Sequence, residues 1–294
     1  MTSKWTIALH GGAGVTPGRD YSAVERHLDE LVTQVGARLD AGLSALDAVE
    51  WAVARLEASG FYTAGRGSAP NRAGQVEFDA CIMDGPCRRA GAVAAIQDVQ
   101  SPIQAARAVM EQTPHVLLAG EGATAFAREA GLPAIGDDPN YFRLAIGVEP
   151  QDLDVPADAL GHGTVGAVAL DREGRLAAAT STGGLFGKRP GRVGDTPLPG
   201  SGTWADDLVA ISCTGVGEHF IRAGGAHEVA ARHRHLGQSL RAASDAMLAD
   251  VKGFGGNGGL IAVGPDAIPV FAWNSPGLKR AANGSHLRKF VATE

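Results

Sequence analysis

The chain has 294 residues, of which 41 are glycine, 45% are hydrophobic and 20% are charged. Glycine at about twice its usual share beside a normal hydrophobic content describes a packed chain with many tight turns, long enough for one large core. With 26 Lys and Arg against 32 Asp and Glu, the net charge of −6 excludes a nucleic-acid surface built on a basic excess, and no apolar run is long enough to span a bilayer.

The start of the chain carries no apolar region or small-residue cleavage site of a secretory signal. Cys81, Cys87 and Cys213 lack CxxC spacing and fit a reducing compartment, so a cytoplasmic protein is expected. Residues 5–9 form a β-prone run that stops at the cluster Gly11, Gly12 and Gly14, a sharp turn that can bring backbone close to a ligand. Residues 21–39 place Val24, Leu28, Leu31, Val32, Val35 and Leu39 at spacings of three and four, one face of a helix. Residues 44–58 repeat that pattern behind Ser44 as N-cap, with Asp47 in the capping-box position.

The period then shortens. Residues 76–83 and 88–96 read as strands, and Asp84-Gly85 between them suggests a hairpin. A helix over 103–112, an apolar run over 115–118 and a helix over 121–129 follow. Residues 131–163 hold one basic side chain, Arg143, against Asp137, Asp138, Glu149, Asp152, Asp154 and Asp158, which predicts a loosely ordered acidic linker, flexible over 133–163. Beyond it, 164–170, 175–180 and 207–213 read as strands, 218–223 and 227–251 as helices, and 260–263 and 268–273 as strands. The second half is expected to repeat the scheme of the first, giving sheets faced on their outer sides by helices.

Four chemistries can be tested against the residues. The glycines after the first strand miss the GxGxxG spacing by one residue, and no phosphate-loop lysine is present. His10-Gly11-Gly12 resembles the oxyanion loop of some esterases, but no serine stands in a GxSxG context. His227, His233 and His235 crowd one helical segment, where 233 and 235 point to nearly opposite sides, the pattern of solvated helix histidines and not of ligands. The fourth is Gly161-His162-Gly163-Thr164-Val165-Gly166, where a threonine opens a strand directly after the linker. Cutting the chain before Thr164 would place a nucleophilic hydroxyl and a basic amine, with a pKa of about 7.7–8, in one residue. Read locally, the same threonine is equally an ordinary β-branched residue at the start of a strand.

The neighbouring blocks change that balance. IALHGGAG at 7–14, EFDACIMDG at 77–85, SPIQAARAVMEQTPHVLLAGEGA at 101–123, GTVGAVALDREGRLAAATSTGG at 163–184, PGRVGDTPLPGSG at 190–202, SCTGVGE at 212–218 and GGLIAV at 258–263 together resemble the plant-type L-asparaginase and isoaspartyl peptidase family of N-terminal nucleophile hydrolases. Ordered blocks spread over almost the whole chain carry far more weight than a lone HGG or TGG.

The resemblance implies an α+β fold, a four-layer αββα sandwich forming one domain over 1–294. It implies self-cleavage between Gly163 and Thr164 into an α chain of 1–163 and a β chain of 164–294. Thr164 is then nucleophile and base toward L-asparagine or β-aspartyl dipeptides, releasing aspartate. Thr182 matches the threonine that hydrogen-bonds the nucleophile, and Thr214 with Gly215 the oxyanion donors. Arg192 matches the group that holds the substrate α-carboxylate, Asp195 the one that receives its α-amino group, and Gly217 the backbone lining of that pocket. A structural sodium ion, with no catalytic cofactor, is implied on backbone carbonyls of the loop carrying Leu56, Glu57, Phe61 and Thr63, and two αβ units are implied to associate.

The chain also departs from the family pattern. Thr63 replaces an asparagine before the Ala64-Gly65 pair, and Ala272-Trp273-Asn274-Ser275 and Gly277-Leu278-Lys279-Arg280 depart from the usual PFNT and GMYR blocks. Two rival readings remain at this stage, a glycosylasparaginase- or taspase-like relative and an uncleaved homologue that binds an acidic ligand. The GTVG context argues against the glycoasparagine enzymes, and the intact Thr164, Thr182, Thr214, Arg192 and Asp195 argue against a binding protein.

Overall fold

The computed structural model describes residues 4–150, 152 and 163–294. The chain runs β1 (Thr6–His10), α1 (Ser22–Asp40), α2 (Ala45–Ser59), β2 (Phe78–Asp84), β3 (Arg89–Ile96), α3 (Pro102–Gln112), β4 (Leu117–Ala119) and α4 (Gly120–Glu129). It continues with β5 (Thr164–Leu170), β6 (Leu176–Thr182), β7 (Thr203–Ala205), β8 (Ala210–Gly215), α5 (Gly217–Ala223), α6 (Gly225–Leu236) and α7 (Leu240–Gly253), and ends with β9 (Gly258–Val263), β10 (Pro269–Trp273), β11 (Arg280–Gly284) and β12 (Leu287–Ala292).

Two sheets result, one of eight strands in the order β12-β11-β1-β5-β6-β2-β3-β4 and one of four in the order β10-β9-β8-β7. The period-two alternation of a strand divides the large sheet cleanly. Ile7, Leu9, Val165, Ala167, Ala169, Ala177 and Ala179 pack against the apolar faces of α1, α2 and α3. Their alternates Ala8, Val168, Leu170 and Ala178 meet Ile261, Val263 and Ala210 of the small sheet. The far face of the small sheet, with Ile211, Cys213 and Leu260, is covered by Phe220, Val229, Ala243, Met247 and Val251 from α5, α6 and α7. Alanine is the commonest residue of β5 and β6, whose two faces are both covered.

Several expectations change. The halves do not repeat one scheme side by side: β5 and β6 of the second half insert between β1 and β2 of the first. The predicted helix over 227–251 is two helices, broken where Gly237 adopts φ 63° and Ser239 caps α7 by accepting the Ala242 N–H. The strand expected at 207–213 starts later, because the Asp206 carboxylate accepts the Leu208 and Val209 N–H groups in a turn. β11 and β12 are not expected from the sequence: Arg-Ala-Ala-Asn-Gly carries little β propensity and is a strand through pairing with β1, and β12 pairs in turn with β11.

The described part of the acidic linker makes tertiary contacts. Tyr141 and Ala145 are buried, Arg143 and Ile146 donate backbone bonds to Arg66 and Phe61 carbonyls, and Arg19 grips the Gly147 carbonyl and the Asp152 carboxylate. Residues 151 and 153–162 of that predicted linker lie outside the described residues. No helix among the described residues is long and apolar enough to cross a membrane.

Candidate active site

Cross-strand pairing assembles the site in rows. Directly opposite residues share one face of a sheet, and the registers place Thr164 of β5 opposite Thr182 of β6, and Thr182 opposite Asp79 of β2. One row facing the small sheet therefore reads Thr164, Thr182, Asp79. The next row reads His10, Gly166, Thr180, Cys81, and the row after it, Ala8, Val168, Ala178, Met83, is apolar. Polarity thus rises toward the head of β5.

In the first row the Thr164 hydroxyl donates to Thr182 Oγ1 at 3.2 Å, both residues being buried. Thr182 Oγ1 also accepts the Gly184 N–H at 3.0 Å, so the turn after β6 fixes its rotamer. Gly163 precedes Thr164 with so little room that a side chain there would collide with Thr63. The Thr63 carbonyl accepts the Gly183 N–H at 2.9 Å. Thr63 therefore touches both the bond before Thr164 and the turn after Thr182.

Opposite this row stands β8. The hydroxyl of Thr214, fully buried, accepts the Ala13 N–H at 3.3 Å. Gly215 follows with Phe220 and the Asn257 carbonyl against its Cα, leaving no space for a side chain. In the second row the missing side chain of Gly166 admits a hydrogen-bonded chain: His10 Nε2 meets Ser212 Oγ at 2.8 Å, Ser212 Oγ meets Thr180 Oγ1 at 2.7 Å, and Thr203 donates to Thr180 at 2.7 Å. Burial pushes the His10 imidazole down to about 3, opposed only weakly by the Thr164 backbone. His10 is therefore a neutral structural group at working pH, with Nδ1 lacking a well-aligned partner.

The 191–195 turn closes the other side. Arg192 does not pair with Asp195; its Nε and Nη2 donate to the two oxygens of Glu218 at 2.9 and 2.7 Å. Asp195 is buried with Oδ2 unpartnered, and burial raises its carboxyl to about 7 against the pull of Arg192. Gly217, at the start of α5, lies so close that a Cβ would sit 2.8 Å from the Asp195 nitrogen. Two buried carboxylates pin the turn from beneath: Glu77 Oε1 accepts the Gly191 N–H at 2.9 Å and Asp79 Oδ2 the Gly194 N–H at 3.2 Å. Lys188, 3% exposed, balances them, with Nζ donating to the Glu77 carbonyl at 2.9 Å and 3.9 Å from its Oε2.

A family model described as asparaginase matches residues 3–291. The chain belongs to that family. The isoaspartyl peptidase of Salmonella typhimurium is 44% identical over 297 residues, 95% of each chain. The isoaspartyl peptidase of Escherichia coli is 42% identical over 298 residues, 95% of this chain and 92% of its own. A Bos taurus protein named isoaspartyl peptidase/L-asparaginase is 41% identical over 284 residues, 94% of this chain and 92% of its own.

Within this asparaginase-family chain, the predicted residues fall into two neighbouring groups. Thr63, Gly163, Thr164 and Thr182 meet at the head of β5 and the end of β6, and Arg192, Asp195 and Gly217 meet at the turn. Gly215 joins Thr214, at the end of β8, to α5. Leu56, Glu57 and Phe61 lie at the end of α2 and in the loop after it. The Glu57 side chain accepts the Ser101 hydroxyl at 2.6 Å and the Ile103 N–H at 2.9 Å, capping α3. The histidines considered for metal binding are dispersed: His227 packs edge-on to Trp204 and His233 Nδ1 meets the Gln238 carbonyl. Sequence reasoning missed Glu77, Asp79, Lys188 and Glu218. The available signal was charge inside apolar strand sequence, Glu77-Phe78-Asp79 leading into Ala80-Cys81-Ile82, where a carboxylate is kept only if it is paired.

Proposed function

We propose that this chain is a self-cleaving amidohydrolase that acts on β-aspartyl dipeptides and L-asparagine through Thr164, on a four-layer αββα scaffold of the N-terminal nucleophile type. The observation that carries the reading is the buried Thr164–Thr182 hydroxyl pair at the head of β5, with Gly163 wedged against Thr63 before it. The substrates follow the names of the relatives, an isoaspartyl peptidase at 44% identity and an isoaspartyl peptidase/L-asparaginase at 41%.

In maturation, Thr164 Oγ1 adds to the Gly163 carbonyl carbon. The peptide C–N bond breaks as its nitrogen gains a proton, which frees the Thr164 amine, and water hydrolyses the resulting ester to a Gly163 carboxylate and the Thr164 hydroxyl. That amine, with a pKa of about 7.7–8, removes the hydroxyl proton for attack on the substrate amide. Thr182, accepting a hydrogen bond in the precursor, holds the hydroxyl in place. Charge developing on the amide oxygen faces the Thr214 hydroxyl and the Gly215 N–H, a kind of donor worth roughly 10²–10³ in rate. The amine then protonates the departing ammonia or amino acid, and water cleaves the β-aspartyl ester to aspartate.

Arg192 keeps the Nη1 side of its fork for the substrate α-carboxylate while Glu218 orients the other edge. Asp195 takes the α-ammonium, with Gly217 backbone against it. The loop of Leu56, Glu57, Phe61 and Thr63 suits a structural sodium ion. The carbonyls of Leu56, Phe61 and Thr63 each accept one protein donor and retain a second lone pair, and that of Glu57 faces Gly65. Two αβ units would associate around these sites.

Intact mass spectrometry of the purified protein under denaturing conditions, followed for several days, tests the reading. Two chains, the smaller beginning at Thr164, are expected, followed by release of aspartate from a β-aspartyl dipeptide. A persistent single chain without turnover refutes it in favour of a binding protein.

A further inference from the structure

Lys279 lies immediately before β11, in the Gly277-Leu278-Lys279-Arg280 block that departs from the family pattern, and it is 6% exposed. Its Nζ donates to the Gly14 carbonyl at 3.0 Å and stands 5.0 Å from the centre of the Tyr21 ring. Burial lowers its pKa to about 8, with no charged neighbour among the described residues acting on it. Lys188 is the instructive contrast, because its ammonium sits beside Glu77. A buried ammonium without a counter-charge is costly unless its donors find oxygen or a ring face. Here they are aimed at the loop that follows β1.

That loop is fastened at three points. The Gly11 N–H donates to the Lys279 carbonyl at 2.8 Å, the Lys279 N–H donates to the Gly12 carbonyl at 3.1 Å, and the ammonium holds the Gly14 carbonyl. Between the last two points lies Ala13, whose N–H donates to Thr214 Oγ1 at 3.3 Å. A hydroxyl has one proton and two lone pairs. Filling a lone pair from Ala13 leaves the Thr214 proton to be directed away from the loop, toward the reacting carbonyl.

We propose that Lys279 is a positioning residue for the oxyanion side of the site: by holding Gly14 it keeps the Ala13 N–H on Thr214 and so aims the Thr214 hydroxyl proton at the acyl oxygen. The role rests on the amidohydrolase reading above. It acts on the transition state and leaves the Arg192 and Asp195 contacts untouched.

The test is steady-state kinetics of the mature protein on one β-aspartyl dipeptide, with Lys279→Met, Lys279→Gln, Thr214→Val and the Lys279→Met/Thr214→Val double variant. Lys279→Met is expected to lower kcat about 10–100-fold with KM within about threefold, the signature of a lost transition-state interaction. In the Thr214→Val background the same change is expected to cost less than about twofold, because both act through one hydroxyl. Lys279→Gln keeps an N–H near the Gly14 carbonyl and recovers kcat to within about fivefold of the unmodified protein. Additive losses in the double variant, or a raised KM at unchanged kcat, overturn the proposal. Should Lys279→Met not accumulate folded, Lys279→Gln carries the test: unchanged KM with a modest loss of kcat supports the role, and a raised KM overturns it. An unmodified protein that is cleaved at Thr164 yet releases no aspartate would refute the hydrolase reading itself.

Discussion

The two sides of the candidate site are made of different materials. On the strand side, Thr164, Thr182 and Thr214 are neutral hydroxyls fixed by β register, with contacts of 3.0–3.3 Å to one another or to backbone N–H groups. On the turn side, Arg192 and Asp195 are charged groups on a loop, held by the buried Glu77, Asp79 and Lys188 and by the half-exposed Glu218. Neutral hydroxyls on strands carry a far smaller desolvation penalty than charges, and hydrogen bonds offset it, so they can be packed closely, which suits bond-making. Charges on a turn need counter-charges to be buried, and they suit recognition of a zwitterionic amino-acid head. Asp79 joins the two sides, because it lies in the same cross-strand row as Thr164 and Thr182 and also anchors Gly194.

The sharpest way to separate the sides is Thr164→Ala. It should leave a single uncleaved chain and abolish aspartate release, a loss on the order of 10⁴-fold or more, read by intact mass and product analysis. Cleavage in that variant would move the scissile bond elsewhere. Asp79→Asn should act on the turn side instead. A buried charge-assisted bond is worth about 1.5–3 kcal/mol, so KM should rise about 10–100-fold while kcat stays within about threefold. A fall in kcat at constant KM would mean that Asp79 serves the hydroxyl row.

The acid limb offers a third separation. Asp195 binds an ammonium only when ionised, and its carboxyl is raised to about 7 in the folded protein. Below that pH both Asp195 and the Thr164 amine of the free enzyme are protonated, so kcat/KM should fall about 100-fold per unit, whereas kcat at saturation should follow the Thr164 amine alone and fall about tenfold per unit. The stability sign runs the other way. A folded pKa of about 7 against an ordinary 3.8 means that the folded state binds more protons between those values. The contribution of Asp195 is therefore fullest below about pH 4 and is lost as pH rises through 7. Asp195→Asn should accordingly unfold at a higher temperature than the unmodified protein at pH 8, with the gap closing toward pH 5; a gap that widens on acidification contradicts the assignment. The smallest effect is expected from Glu218→Gln. That carboxylate is half exposed, so a pair of this kind is worth about 0.2–1 kcal/mol and KM should rise only about 1.5–5-fold.

Much of the strand side was legible in the sequence. Thr164 opens a strand after a glycine, and Thr182 and Thr214 stand just beyond the strands expected at 175–180 and 207–213, each followed directly by glycine. The turn side was legible only in part. Arg192 and Asp195 stand three apart and suggest an ion pair with each other, but the structure gives Arg192 to Glu218 and leaves Asp195 Oδ2 buried without a hydrogen-bond partner. The groups that hold the turn, Glu77 and Asp79, are more than a hundred residues away from Gly191 and Gly194 in the chain, and no local pattern links them.

The sequence by itself determined the amphipathic helices α1 and α2, the hairpin of β2 and β3, the placement of Thr164 at a strand head and the glycine turns that end β1, β6 and β8. These depend on side-chain periodicity and backbone freedom within a few residues. Only the tertiary structure decided that β5 and β6 insert between β1 and β2, that β11 and β12 are strands, that Tyr141 and Ala145 of the acidic segment are buried, and that Lys279 reaches Gly14. Each of these depends on which distant surface buries a segment. That choice is a comparison of whole packings, with hydrogen bonds and charges satisfied across long separations, and no short window of sequence contains both partners.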